Sequence, residues 1–160
     1  MPTPKEPDAS GSIHIDASPE QVYALISDPG VLAEVAGEYE GFRWLDGATE
    51  VAPGVRFRGR NRHGIIRWST TATVTDAAEG EKFAFDVGVG PIQVARWQYD
   101  IEPDGDGCRV VESTWDRRVA PVRFLTGVAV GTPDRAGVNR RNIEKTLAGL
   151  KQRAESVTAD

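Results

Sequence analysis

The sequence predicts an α+β fold in which a curved antiparallel sheet of seven strands wraps around a long C-terminal helix. Two changes of hydrophobic period indicate this. Apolar and polar residues alternate between about residues 39 and 117, as in half-buried strands, and a period of three to four follows, as in an amphipathic helix. A wide sheet curls, so its concave side is expected to hold the helix and a pocket beside it.

The N-terminal part predicts one strand and two short helices. Ile13 and Ile15 alternate with polar residues, which indicates the strand. Ser18 and Pro19 suit the N-cap and first position of a helix, and a second helix in "GVLAEVAG" is expected to end at Gly37. Residues 1–10 have no apolar stretch of the kind a secretion signal carries, so we expect a flexible tail before a single domain at residues 11–157.

Six strands are predicted next, joined by Gly- and Asp-rich turns into a meander. The stretches that predict them are "EGFRWLDG", "GVRFRGRNR", "GIIRWSTTATVTDA", "EKFAFDVGV", "PIQVARWQYDIEP" and "CRVVESTWDRR". In "RFRGRNR" the period of two places four arginines on the outer face and Phe57, Gly59 and Asn61 on the inner one. These arginines are expected either to pair with acids such as Glu50 or Asp86 or to be simply hydrated.

A long amphipathic helix is predicted near the C-terminus, with Thr132 as its cap and Pro133 as its first residue. Its apolar face is formed by Ala136, Asn139, Ile143, Leu147, Leu150 and Ala154. The apolar segment "VAPVRFLTGVAVG" before it is expected to be partly helical.

Composition narrows the function classes. A net charge of −5 argues against general nucleic-acid binding. The single cysteine and two histidines offer few zinc ligands, and no dinucleotide or nucleophile-turn motif occurs, so no metal and no cofactor are expected. No apolar run reaches the length of a membrane helix, so we expect a cytoplasmic protein without stable membrane insertion. Either a monomer or a homodimer is compatible with the sequence.

Several motifs together resemble the START/Bet v 1-like (SRPBCC) superfamily, within it the bacterial polyketide cyclase/dehydrase and lipid-transport group. They are "IDASPEQVYALISDPG", "WLDG", "GVRFRGRNRHG", "RWSTTATVTDAAEGEKFAFDV", "WQYDIEPDGDGCRVVES" and "NRRNIEKTLAGLK", and they span residues 11–156. The resemblance implies a helix-grip fold with a cavity that cyclises polyketides, carries lipids or senses ligands in different members. No catalytic motif of the family maps onto this chain residue by residue, so catalysis stays open.

The aromatic residues of the predicted inner face suggest a ligand wall, although ordinary core packing is an equal alternative. Asn61 could orient a ligand, and so could Asn139 and Asn142, of which Asn139 is the better candidate because it lies on the apolar helix face. His63 could transfer a proton inside a pocket, but next to Gly64 it more naturally lies in a turn. The predicted ligand-binding residues are Trp44, Phe57, Asn61, Trp68, Thr70, Phe83, Phe85, Trp97, Tyr99, Asn139 and Ile143.

Glu112 is the candidate catalytic residue, and its direction depends on strand register. If Ile101 pairs with Cys108, Trp97 lies opposite Glu112, which then points inward among aromatic rings and acquires a raised pKa suited to acid–base chemistry. A register shifted by one residue turns Glu112 to solvent and brings Trp115 inward.

Three functions are therefore compared. The first is binding or processing of a hydrophobic small molecule (a lipid, polyketide or aromatic metabolite), with cyclase/dehydrase-like chemistry if the protein is an enzyme. The second is a non-catalytic carrier or sensor, and the third is a protein-interaction module that uses the arginine-rich strand face.

Overall fold

A computed structural model describes residues 5–36, 39–118, 121 and 135–158. Within them, seven strands and three helices follow one another in chain order. They are β1 Ala9–Ile15, α1 Pro19–Ile26, α2 Pro29–Val35, β2 Tyr39–Trp44, β3 Arg56–His63, β4 Ile66–Ala78, β5 Lys82–Val89, β6 Ile92–Asp104, β7 Gly107–Asp116 and α3 Arg135–Thr158.

The seven strands form one antiparallel sheet in the order β1-β7-β6-β5-β4-β3-β2. Strands β2 to β7 are a meander, and β1 closes the sheet by pairing with β7. The predicted helix-grip architecture is confirmed, including the two short helices between β1 and β2. No helix in the described part of the chain combines the length and apolar character that spanning a membrane requires.

The β6–β7 register differs from the predicted pairing of Ile101 with Cys108. Ile101 lies opposite Val110, and Tyr99 lies opposite Glu112. The hairpin closes through Gly105 and Asp106, and Gly105 has the positive φ of 62° that glycine adopts readily. The shift is two residues, so the same side chains face inward as in the predicted register.

The first strand begins at Ala9, two residues before the predicted domain boundary. Residues assigned to a flexible tail also contact β7. The Trp115 indole nitrogen donates to the carbonyl oxygen of Lys5 over 2.7 Å, and the amide nitrogen of Asp116 donates to an Asp8 carboxylate oxygen over 2.7 Å. The stretch from Lys5 to Ser10 is thus attached to the sheet edge.

Local capping explains where the short helices start. Ser18 and Gln21 form a reciprocal capping box at α1, with Pro19 as the first helical residue. The Asp28 carboxylate accepts from the amide of Gly30 at the start of α2. Helix α2 ends at Val35, and Gly37, where its end was predicted, lies outside the described residues. The predicted cap of the long helix at Thr132 and Pro133 also lies outside them, and so does the segment 119–131 apart from Pro121.

Helix α3 packs against β1 and α2 at two glycines. A Cβ atom on Gly11 would lie 2.8 Å from Ile143 Cγ2, and one on Gly149 would lie 2.8 Å from Val35 Cβ. Both distances are shorter than van der Waals contact, so the absence of a side chain lets the helix approach this closely. Ile143, Leu147 and their neighbours are buried there as core.

The arginine-rich strand β3 alternates as predicted, with its arginines exposed and Phe57 and Gly59 buried. Among the described residues, neither of the acids named as expected partners, Glu50 and Asp86, pairs with an arginine of β3. Arg56 forms a two-bond contact with Asp46 over 3.0 and 3.2 Å, and Arg62 lies 3.6 Å from Glu40. Asp86 instead pairs with Arg96 and Arg117.

Candidate ligand-binding cavity

A cavity of about 390 Å³ lies between the concave face of the sheet and α3. This volume falls within the range of small-molecule sites, and most of the described wall is apolar. Most of the residues predicted to bind ligand line it: Phe57, Asn61, Trp68, Thr70, Phe85, Trp97, Tyr99 and Asn139. Glu112 lies in the same wall.

Three residues predicted to line the cavity lie elsewhere. Phe83 is fully buried and packs against Phe85 at a centroid distance of 5.6 Å, and Ile143 is fully buried where α3 meets Gly11. Trp44 stacks edge-on against Phe42 and Phe57 at 5.3 and 6.0 Å on the outermost strand pair. Period and polarity place a side chain on the inner face, but they do not say whether it meets a void or a neighbour.

Glu112 is the main ionisable group of the interior, with 2% of its surface exposed. Its Oε1 accepts a hydrogen bond from Tyr99 Oη over 2.8 Å, and its Oε2 has no hydrogen-bond partner among the described residues. Desolvation raises the pKa of Glu112 to about 8, against a smaller lowering by the Tyr99 hydrogen bond. The carboxyl group is therefore mostly neutral at pH 7.

Two further polar atoms of the cavity wall have no partner among the described residues. Asn139 Oδ1 is buried on α3, and Tyr39 Oη is buried at the start of β2. Burial without a hydrogen bond is costly for such groups, and native proteins leave few of them. Burial also raises the pKa of Tyr39, which keeps its phenol neutral.

Asn61 and Tyr39 are held by their neighbours. Asn61 Nδ2 donates to Thr70 Oγ1 over 3.1 Å, which fixes two predicted site residues to each other. A Cβ on Gly59 would lie 2.9 Å from Tyr39 Cε2, so the room that Gly59 leaves on the inner face is taken up by the Tyr39 ring.

Charged residues line the cavity where β7 ends and α3 begins. Arg118 binds Asp116 through two bonds of 2.9 and 2.7 Å, and the Arg135 guanidinium lies 5.9 Å from the centre of the Trp68 ring. We refer to Asp116, Arg118 and Arg135 as the charged rim.

The charged rim and Tyr39 were not predicted as cavity residues from the sequence. Asn142 was placed second to Asn139 and Thr146 was not predicted, although both follow Asn139 at helical spacing and line the same wall. That polar stripe on an otherwise apolar helix face was a usable signal. For Tyr39, the predicted strand began one residue later.

A second, open hollow of about 800 Å³ lies beside the cavity and is lined by Glu40, Arg60 and Arg67 as well as by Tyr39, Asn61, Trp68 and Ser69. The last four residues also line the cavity and so separate the two spaces. The lining of the hollow is about half polar and the hollow is more open to solvent, whereas the cavity is more enclosed and mostly apolar, so the cavity is the better site for an apolar ligand.

Solved structures share this architecture. TTHA0849 from Thermus thermophilus superimposes with a TM-score of 0.68 at 22% identity, over 93% of this chain and 97% of that one. The polyketide-cyclase-like protein Cgl2372 from Corynebacterium glutamicum gives 0.56 at 26% identity, over 91% and 90%. The di-domain ARO/CYC StfQ of the steffimycin biosynthetic pathway gives 0.72 at 11% identity, over 94% of this chain and 51% of StfQ.

Sequence comparison adds the family. No curated protein sequence matches the chain. The model of the family described as "Polyketide cyclase / dehydrase and lipid transport" matches residues 6–155, which include every described strand and almost all of α3. The resemblance drawn from the sequence motifs is thus confirmed, and the chain belongs to the polyketide cyclase/dehydrase and lipid-transport family.

Proposed function

We propose that the protein binds a hydrophobic small molecule, such as a lipid, polyketide or aromatic metabolite, in the cavity between the sheet and α3. The observation that carries this proposal is the combination of an apolar cavity of about 390 Å³ with three buried polar atoms that have no described partner. A ligand supplies the missing contacts of Glu112, Asn139 and Tyr39 and the missing apolar contacts of the wall.

Native mass spectrometry of the purified full chain tests this proposal. We expect an adduct of small-molecule mass that is lost on unfolding, or uptake of an added apolar ligand with quenching of Trp68 and Trp97, which line the cavity. Replacing Ala72 in the wall by Phe should fill the space and reduce uptake. Replacing Ala78, an exposed alanine at the end of the same strand, by Phe is the matched control. Equal uptake by the two variants would contradict binding in the cavity.

A catalytic role is the second candidate function, and the buried carboxyl group of Glu112 favours it over a purely apolar carrier. Glu112 starts as a neutral acid and would protonate a leaving hydroxyl group of the ligand, so that the C–O bond breaks and water departs. The resulting carboxylate would remove a proton from the adjacent carbon. A C=C bond then forms, and Glu112 returns to its acid form with the loss of one water molecule overall.

The Glu112→Gln variant distinguishes catalysis from ligand binding without turnover. The amide keeps the shape of the side chain but transfers no proton, so dehydration of a bound β-hydroxy ketone should fall by a factor of about 100 or more while ligand is still taken up. Glu102→Gln changes an exposed glutamate on β6 and should have no effect. A Glu112→Gln variant with full activity would rule out the acid–base role, and wild-type protein without turnover would leave a carrier or sensor.

A further inference from the structure

The inner wall around Glu112 discriminates between classes of apolar ligand. We propose that the cavity selects neutral molecules that carry a carbonyl oxygen, which accepts a hydrogen bond from the Glu112 carboxylic acid, and that it rejects carboxylates such as fatty acids. This inference rests on the proposed ligand-binding function and adds the chemical class of the ligand.

The hydrogen bond from Tyr99 determines which oxygen of Glu112 carries the proton and can donate. Tyr99 Oη donates to Oε1, so Oε1 acts as the carbonyl oxygen of a neutral carboxyl group. The acidic proton then lies on Oε2, the oxygen without a described partner. A buried O–H group without an acceptor is unfavourable, and a ligand carbonyl oxygen satisfies it.

The neutral state of Glu112 follows from its surroundings. Gly11 on β1 lies opposite it and carries no charge, and Tyr99 from β6 is neutral because burial and the neighbouring carboxyl raise its pKa. On α3, Asn139, Asn142 and Thr146 line the cavity with Glu112 and carry no charge, whereas the charged Arg135 lies against Trp68. The raised pKa of Glu112, near 8, agrees with this geometry, and its largest cause is desolvation.

The arginines of the rim contact Asp116 and Trp68 rather than Glu112. Asp116 follows Glu112 by four residues on the same strand, or roughly 13 Å at 3.3 Å per residue. Arg118 is already bound to Asp116, and Arg135 lies against Trp68. A carboxylate pushed against Glu112 would therefore be desolvated without a counter-ion, which is strongly unfavourable.

Asn139 adds a second selective contact. Ile143 meets β1 at Gly11, which pairs with Glu112, and Asn139 lies one helical turn from Ile143. Asn139 Oδ1 is an acceptor without a described partner, so it suits a hydroxyl group of the ligand. Hydroxy ketones therefore match the wall better than simple ketones do.

Three ligands of nearly equal shape test the proposal on the wild-type protein: methyl naphthyl ketone, isopropenylnaphthalene and naphthoate. They present a carbonyl, a C=CH₂ group and a carboxylate at the same position, and Trp68 and Trp97 report binding by fluorescence. We expect the ketone to bind about tenfold or more tightly than either analogue at pH 7, since only it satisfies Oε2 without burying a charge.

The pH dependence of ketone binding and two variants test whether Glu112 causes the preference for the ketone. Ketone affinity should fall roughly tenfold from pH 7 to pH 9 as Glu112 ionises, and this fall should vanish in Glu112→Gln, whose amide N–H still donates. Glu112→Leu should lose the preference for the ketone. Glu102→Gln, on the exposed end of β6, is the control that should keep the wild-type profile.

The outcomes separate this inference from the proposed function. Equal binding of all three ligands, or tightest binding of naphthoate, would overturn the inference and leave the cavity as a general apolar site. Tight naphthoate binding that depends on Arg135 would place the ligand at the rim instead. Failure of every ligand to bind would contradict the inference and the proposed function together.

Discussion

Tyr99 Oη donates a hydrogen bond of 2.8 Å to Glu112 Oε1 across the β6–β7 pair, in a region where both side chains are buried. The two residues are direct cross-strand partners. The contact orients the carboxyl group and leaves its other oxygen buried without a partner among the described residues. Substitutions at either residue should therefore change the pKa of Glu112 or the unfolding free energy.

Tyr99→Phe should raise the pKa of Glu112 further and destabilise the protein. The Tyr99 hydrogen bond lowers this pKa, so its removal leaves desolvation unopposed. A buried Oε1 without a donor costs on the order of 1–3 kcal/mol of unfolding free energy. NMR titration of the ¹³C-labelled Glu112 carboxyl and urea unfolding measure the two effects. Tyr23→Phe, at a half-buried tyrosine of α1, is the control, and an unchanged Glu112 pKa in Tyr99→Phe would contradict the contact.

The unfolding free energy of Glu112→Gln should increase relative to that of the wild type as the pH rises. The folded pKa, about 8, is higher than the ordinary value of 4.5 that applies to the unfolded chain, so the stabilising contribution of protonation is full below 4.5 and is lost between these values. The difference in unfolding free energy should grow by at most about 1.4 kcal/mol per pH unit in this window and then level off. Urea unfolding at several pH values measures it, and a constant difference would contradict burial of the carboxyl group.

His14 should stabilise the protein at acidic pH. Its Nδ1 lies 2.8 Å from a carboxylate oxygen of Asp104 and its Nε2 lies 2.9 Å from one of Asp16, and these two hydrogen bonds raise the His14 pKa above 6.5. The stabilising effect is full below pH 6.5 and disappears as the pH rises through the folded pKa.

The comparison of His14→Gln with the wild type tests this effect. The variant should lose stability relative to the wild type at about pH 5.5 and match it at about pH 9. Lys151, whose ammonium donates to the His14 carbonyl oxygen, is unchanged in both proteins. His63→Gln changes the other histidine of the sequence and is the control. A difference that is the same at both pH values would contradict the ion pairs.

The sequence was sufficient for the sheet because period-two alternation assigns faces without knowledge of partners. Glu112 illustrates this: the predicted register was wrong by two residues, yet the side chain faces inward because a shift of two keeps the same face. The same error assigned Trp97 rather than Tyr99 as its neighbour, so the hydrogen bond that orients the carboxyl group was not foreseen.

The cavity wall was harder to predict because it depends on distances between elements. Ile143 has the pattern of a ligand contact, but Gly11 lets the helix approach β1 so closely that Ile143 becomes core. Arg118 and Asp116 follow the last predicted inward residues, and only the three-dimensional arrangement brings them beside α3. The alternation of residues along a strand contains no information on how closely another helix or strand packs against it.

The close approach of Gly11 to Ile143 predicts that Gly11→Ala moves α3 away from the sheet. The new methyl group would lie 2.8 Å from Ile143 Cγ2, and overpacking of this kind costs about 1–3 kcal/mol of unfolding free energy. Ser12→Ala, on the exposed face of the same strand, should cost well below about 1 kcal/mol and serves as the matched control.

A double-mutant cycle identifies the contact responsible. Ile143→Ala removes Cγ2 and creates space, so the added methyl group of Gly11→Ala should cost less in that background than in the wild type. Chemical denaturation of the four proteins gives the coupling energy. Strict additivity of the two changes would show that the helix does not rest on Gly11, because two residues in direct steric contact cannot contribute independently.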